Sequence, residues 1–113
     1  MALTTHMLAG LEGMAERIKG EEQPVASVFC CDLLSLVISR APEDCAWITV
    51  MGNVNTVAVA TLCEARAIVV AEGMPMDADM AEAARRQGIT VLSTDLPVYE
   101  AARRIDEATR YAV

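Results

Sequence analysis

The side chains best suited to chemistry in this chain are four cysteines, a single histidine, and a few carboxylates, amides and hydroxyls beside apolar runs. Cys30 and Cys31 are adjacent, in VFCCDLLS, while Cys45 and Cys63 stand alone, so no Cys-x-x-Cys occurs. Structural zinc sites draw ligands from knuckles with spacers of about two to four residues. That spacing is missing, and side chains alternate along a strand, so neighbouring cysteines cannot face the same way. The cysteines are therefore expected to be buried small hydrophobes. Cys31 is the exception to watch, because a helix start lowers a thiol pKa while the charge of Asp32 opposes it. His6 has no cysteine near it and is expected at the surface, and nothing in the spacing places it beside a serine in a Ser-His-Asp arrangement.

MGNVNT, residues 51–56, is the most suggestive polar stretch. Gly52 permits close backbone approach, and Asn53, Asn55 and Thr56 offer donors and acceptors at a helix start. Free N–H groups and the helix dipole favour an anion there. The same residues can simply cap the helix. Ser93, Thr94 and Asp95 offer hydroxyls and a carboxylate, with the same alternative of a cap. Neither a Gly-x4-Gly-Lys-Ser/Thr phosphate loop nor a Gly-x-Gly-x-x-Gly turn is present.

These residues need elements to position them. LTTHMLAG (3–10) reads as a short helix with Leu3, Met7 and Leu8 on one face and Gly10 ending it. MAERI (14–18) reads as a short strand before a turn at residues 19–22. VASVFCC (25–31) is a strand, and Asp32 is placed to cap a helix carrying Leu33, Leu34, Val37 and Ile38 on one face, stopped by Pro42. CAWITVM (45–51), AIVVA (67–71) and ITVL (89–92) are continuous apolar runs, the pattern of parallel strands buried on both faces. Between them the spacing predicts a helix over 54–64, with Val57, Ala58, Thr61 and Leu62 inward, and another from Pro75 and Asp77 to Gly88. The last helix opens at Asp95 and Pro97. Its buried stripe is Val98, Ala101, Ala102, Ile105 and Ala108, and Glu100 with Arg104 and Arg103 with Glu107 sit outside, four residues apart.

Four strand–helix alternations demand parallel pairing with right-handed crossovers. The expected fold is α/β, a compact three-layer Rossmann-like domain with a mostly parallel sheet, one domain over residues 1–113. Ligands of such sheets gather outside the carboxyl ends of the strands. Topology thus brings Asp32, Gly52, Asn53, Asn55, Thr56, Glu72, Gly73, Ser93, Thr94 and Asp95 to one edge as candidate ligand-binding residues.

Bulk composition narrows the partners. Sixteen acidic against nine basic residues give a net charge of −7, which argues against nucleic acid or an anionic membrane, since phosphate needs a basic surface. No apolar run approaches the ~18 residues of a membrane span. The first residues include His6, Glu12 and Glu16 without an unbroken apolar stretch, unlike a signal peptide, so the expected location is the cytoplasm with reduced thiols. Aromatics make up 4% of the chain, so the core must be aliphatic and methionine. Met74, Met76 and Met80 cluster near one helix start; some are expected in the core, and an exposed patch would mark a subunit contact. Short edge strands also favour a homodimer.

VFCCDLLS, AWITVMGNVNTVAVATL, AIVVAEG and GITVLSTDLPVYEAARRI together resemble the DRTGG domain, over roughly residues 3–106. The chain is similar to small stand-alone DRTGG proteins of anaerobic bacteria, often encoded beside iron-only hydrogenase subunits, and to the N-terminal domain of HPr kinase/phosphorylase. Related copies occur in long phosphotransacetylases and in CBS-domain pyrophosphatases regulated by adenine nucleotides. The matching segments are Cys31-Asp32-Leu33-Leu34, Trp47-Ile48-Thr49 and Gly88-Ile89 with Ser93-Thr94. The naming motif is not kept: its place is taken by Gln23-Pro24-Val25-Ala26-Ser27-Val28. The family has no established catalytic residues, and the kinase activity of HPr kinase belongs to another domain with a phosphate loop. The resemblance implies a non-catalytic regulatory or interaction module without a cofactor. It would bind an adenine nucleotide or other small anionic metabolite, or a redox-enzyme partner in hydrogenase or fermentative metabolism. The alternatives are a small phosphotransferase-like enzyme using Asp32, Asp95 and the Asn55 helix start, or a thiol or metal redox accessory protein.

Overall fold

A computed structural model describes residues 2–111. The elements are α1 (Thr5–Leu8), β1 (Met14–Ile18), β2 (Ser27–Cys30), α2 (Leu34–Arg40), β3 (Cys45–Thr49), α3 (Val54–Cys63), β4 (Ala67–Val70), α4 (Ala78–Gln87), β5 (Thr90–Thr94) and α5 (Val98–Tyr111). The sheet order is β1-β5-β4-β3-β2. Strands β2 to β5 are parallel, as the apolar runs predict. β1 is antiparallel to β5, with Met14 opposite Thr94 and Glu16 opposite Leu92. The fold is the expected three-layer α/β arrangement with a mostly parallel sheet.

Alternation along the strands divides the core. Trp47, Ile68, Val70 and Val91 point to one face, where Val37 of α2, Val57 and Ala60 of α3 and Met80, Ala83 and Ala84 of α4 cover them. Ala46, Ile48, Ala67, Val69 and Leu92 point to the other, under Leu8 of α1 and Ala101 and Ile105 of α5. Full burial of one such aliphatic side chain contributes about 1.5–3 kcal/mol, so the two apolar seams fix the layers. On the outside of α5, Arg103 pairs with Glu100 at 2.9 Å and Glu107 at 2.6 Å, and Arg104 approaches Glu100 at 3.6 Å. The Arg103 guanidinium holds the Glu100 carboxyl below its usual value.

Helix ends follow local chemistry in several places. α2 stops at Arg40 because Ala41, before Pro42, is held in extended backbone (ψ 127°). The Asp77 carboxylate accepts the Met80 amide at 2.8 Å and opens α4. Gly88 closes α4 at φ 69°, where a residue with a Cβ is strained.

Five expectations are corrected. Of the expected face of α2 only Val37 is buried, while Leu33 and Ile38 are exposed, since the short helix lies at the edge of the sheet. Asp32 does not cap α2: Leu33 holds that position with no side-chain bond, and the Asp32 carboxylate turns to β3 instead. α3 is rotated, burying Thr56, Val57, Val59 and Ala60 and exposing Ala58, Thr61 and Leu62, the last at 71%. The reason is that this helix carries no charge and has apolar residues on every side, so its pattern cannot choose a face. Met7 is 41% exposed while Leu3 and Leu8 are buried. Cys30 is exposed, because β2 is an edge strand with no neighbour beyond it. Met80 is core and Met74 is exposed, so the methionines form no joint surface patch.

Candidate functional site

At the end of β2, Asp32 Oδ1 accepts the Thr49 hydroxyl at 2.7 Å and the Val50 amide at 3.0 Å. The carboxylate ties together the ends of two adjacent strands. The carbonyl of Cys31 accepts Nε1 of the buried Trp47 at 2.9 Å, so the doubled cysteine is built into the same junction. Although the residue is exposed at the sheet edge, partial desolvation of its sulfur, then the charges of Asp32 and Cys31, raise the Cys30 thiol above its ordinary value. Burial first and Cys63 second push the Cys45 thiol up to about 12. All four cysteines are free thiols. No group of three or more His, Cys, Asp or Glu side chains is arranged to hold a metal among the described residues.

At the end of β3, the Asn53 side chain accepts the Asn55 amide at 3.0 Å and caps α3, and Thr56 Oγ1 donates to the Met51 carbonyl at 2.7 Å. Asn55 is exposed. Gly52 is not open to a ligand on its Cβ side: a Cβ there would lie 2.0 Å from the Pro75 carbonyl oxygen. The glycine lets the chain after β4 cross against the chain after β3, and the Asp77 amide donates to the Gly52 carbonyl at 2.9 Å.

At the end of β4, Glu72 sits at φ 63° and Gly73 at φ 67°. Glu72 Oε2 accepts the Val98 amide at 2.8 Å, placing a negative charge at the start of α5. The Glu72 amide donates to Leu96 and the Gly73 amide to Thr94, both at 3.0 Å, so the loops after β4 and β5 are fastened together. Thr94 is buried; its hydroxyl donates to the Gly13 carbonyl at 2.7 Å and accepts the Leu96 amide at 3.1 Å.

Ser93 and Asp95 remain for a ligand. They border a hollow of about 150 Å3 with Gly13, Arg17, Gly73 and Met74. Arg17 Nε donates to Ser93 Oγ at 2.7 Å, across 76 positions of sequence. This bond directs the guanidinium and leaves the serine proton free to donate. Of the ten expected residues, Gly73, Ser93, Thr94 and Asp95 therefore share one hollow. Asp32, Asn53, Thr56 and Glu72 are engaged in holding loops and helix starts.

Arg17 is the residue the sequence reading missed. MAERI carries two adjacent charges, Glu16 and Arg17, on an exposed strand, and nothing in them says that the strand runs antiparallel beside β5. Only that pairing carries Arg17 to the carboxyl edge.

A second hollow, about 160 Å3, opens at the opposite, amino edge between Glu21, Glu64 and Arg66. Its arginine is paired with Asp44 at 2.6 Å, so what remains there is acidic. His6 lines neither hollow; its Nε2 lies 2.8 Å from the Gly20 carbonyl oxygen.

No protein-family model and no curated protein matches the chain in sequence. Among solved structures it is similar to the CBS and DRTGG domains of the regulatory region of a pyrophosphatase from Clostridium perfringens, complexed with the activator diadenosine tetraphosphate. The TM-score is 0.74 at 15% identity, over 92% of this chain and 46% of the other. The chain thus spans about half the length of that structure. A likeness at this identity establishes the three-layer α/β fold.

Proposed function

We propose that this chain is a non-catalytic regulatory module, a DRTGG-like domain acting in the cytoplasm, that senses a small anionic metabolite or nucleotide at the carboxyl edge of its sheet. The observation that carries the reading is the Arg17 guanidinium held over Ser93 in an open hollow, in a chain of net charge −7. The fold likeness to a regulatory region whose structure holds an activator supports it. A hollow of about 150 Å3 takes the anionic end of a ligand, a phosphate or carboxylate, rather than a whole nucleotide. The rest of a nucleotide would lie along the edge towards Asn55. No described helix is long and apolar enough to cross a membrane.

The test is thermal denaturation with ATP, diadenosine tetraphosphate, acetyl phosphate and common carboxylates, amino acids among them, each at several millimolar. A ligand at 100 times its dissociation constant stabilises by about 2.7 kcal/mol. A rise in Tm that disappears in Arg17→Gln is the expected result. No rise with any of these compounds overturns the reading.

The same reading makes the module a homodimer. α3 exposes Val54, Ala58, Thr61 and Leu62, and residues 45–63 contain no charged side chain. Two copies of an acidic chain repel over most of their surface but not across a charge-free face. A helix without charge that leaves Val54 and Leu62 exposed presents a face suited to cover by another copy. Sedimentation should show a dimer that Leu62→Glu converts to a folded monomer; a monomeric wild type at about 100 μM overturns it. The resemblance to hydrogenase-associated proteins is what supports a redox enzyme as the protein partner of this module.

A further inference from the structure

Two opposite charges border the Arg17–Ser93 hollow without neutralising each other. Arg17 uses Nε on Ser93, and its two terminal nitrogens have no partner among the described residues. The Asp95 carboxylate also lacks a hydrogen-bond or ion-pair partner among them. Both side chains are exposed, and they form no ion pair with each other. The bond to Ser93 holds Arg17 towards β5, and a surface pair with Asp95 would gain little.

We infer that the hollow binds a zwitterion, the head group of a free α-amino acid. This rests on the proposed ligand-sensing role of the same edge. The terminal nitrogens of Arg17 present the planar fork that suits a carboxylate, and the Ser93 proton adds a third donor. Asp95 accepts the ammonium group. A simple anion would meet Asp95 as a like charge in the same hollow, whereas a zwitterion satisfies both walls. Gly73 helps keep the carboxylate free, since a Cβ at that position would come within 3.2 Å of Asp95 Oδ1. Met74, 45% exposed, supplies an apolar border suited to a short aliphatic side chain. A volume of about 150 Å3 matches a small amino acid.

The experiment is an amide-resolved NMR titration of the full chain with L-alanine and L-serine, and in parallel with N-acetyl-L-alanine, L-lactate, inorganic phosphate and ATP. L-Alanine or L-serine should shift the amides of Gly73, Ser93 and Asp95, with N-acetyl-L-alanine and L-lactate at least tenfold weaker. Arg17→Gln and Asp95→Asn should each weaken the amino acid at least tenfold while keeping native amide dispersion. Suppose instead that phosphate, ATP or lactate shifts these amides as well as the amino acids do, and that Asp95→Asn does not weaken them. The zwitterion is then wrong, while the anion-sensing role stands. If no compound shifts these amides, both are overturned.

Discussion

Asp32 and Thr49, seventeen positions apart, join the ends of β2 and β3: Asp32 Oδ1 accepts the Thr49 hydroxyl at 2.7 Å and the following amide of Val50 at 3.0 Å. Thr49 is fully buried, so its hydroxyl has no ready replacement for this acceptor. Because β2 is an edge strand of four residues, the carboxylate is a substantial part of what fastens it. Asp32→Ala should cost about 1–3 kcal/mol in urea denaturation, the range for leaving a buried polar group unpaired. Asp32→Asn keeps an acceptor oxygen and should cost less than half as much. Equal losses would mean that charge, not the hydrogen bond, holds the junction.

Glu72 makes a comparison of two variants informative. Its carboxylate accepts the Val98 amide, but its backbone lies at φ 63°, a conformation costing a residue with a Cβ about 1–2 kcal/mol. Glu72→Ala loses the cap and keeps the strain, for a loss of about 1 kcal/mol. Glu72→Gly loses the cap and relieves the strain, so it should be the more stable of the two by thermal denaturation. The reverse order would show that the backbone is relaxed there.

Gly52 should tolerate no side chain. An added Cβ would meet the Pro75 carbonyl oxygen at 2.0 Å and Met76 Cα at 2.9 Å, both backbone atoms that cannot swing away. Gly52→Ala should destabilise by ~3 kcal/mol or more, the upper part of the overpacking range. A chemical-denaturation midpoint within experimental error of wild type would contradict this packing.

The Cys45 thiol should make the protein sensitive to alkali. Its ordinary value is 9.0, and burial beside Cys63 raises it to about 12 in the folded chain. Below pH 9 the thiol is protonated in both states and contributes its full share of stability. Between pH 9 and about 12 only the unfolded chain releases the proton, so stability falls as pH rises through that window. The Tm difference between wild type and Cys45→Ala should therefore shrink from pH 8 to pH 10.5. A constant difference would place the thiol in contact with water.

Much of the architecture is legible in the chain itself. The apolar runs at Cys45, Ala67 and Ile89 are strands because burial on both faces removes polar alternation. Asn53, Asp77 and Gly88 bound helices by short-range chemistry that any reader of the sequence can recognise. The stripe of α5 was readable because Glu100, Arg103, Arg104 and Glu107 mark its outside.

What the tertiary structure alone decided has one common cause: each feature depends on a partner far away in sequence. The rotation of α3 follows from packing on the sheet, since an uncharged helix carries no internal mark of its outer face. Asp32 chose β3 over its own helix because the strand ends, once paired, offered a buried hydroxyl and an amide together. Arg17 reached the carboxyl edge because β1 turned back antiparallel along β5. A five-residue strand with two adjacent charges names neither its neighbour nor its direction; both are set by the free energy of closing the whole sheet.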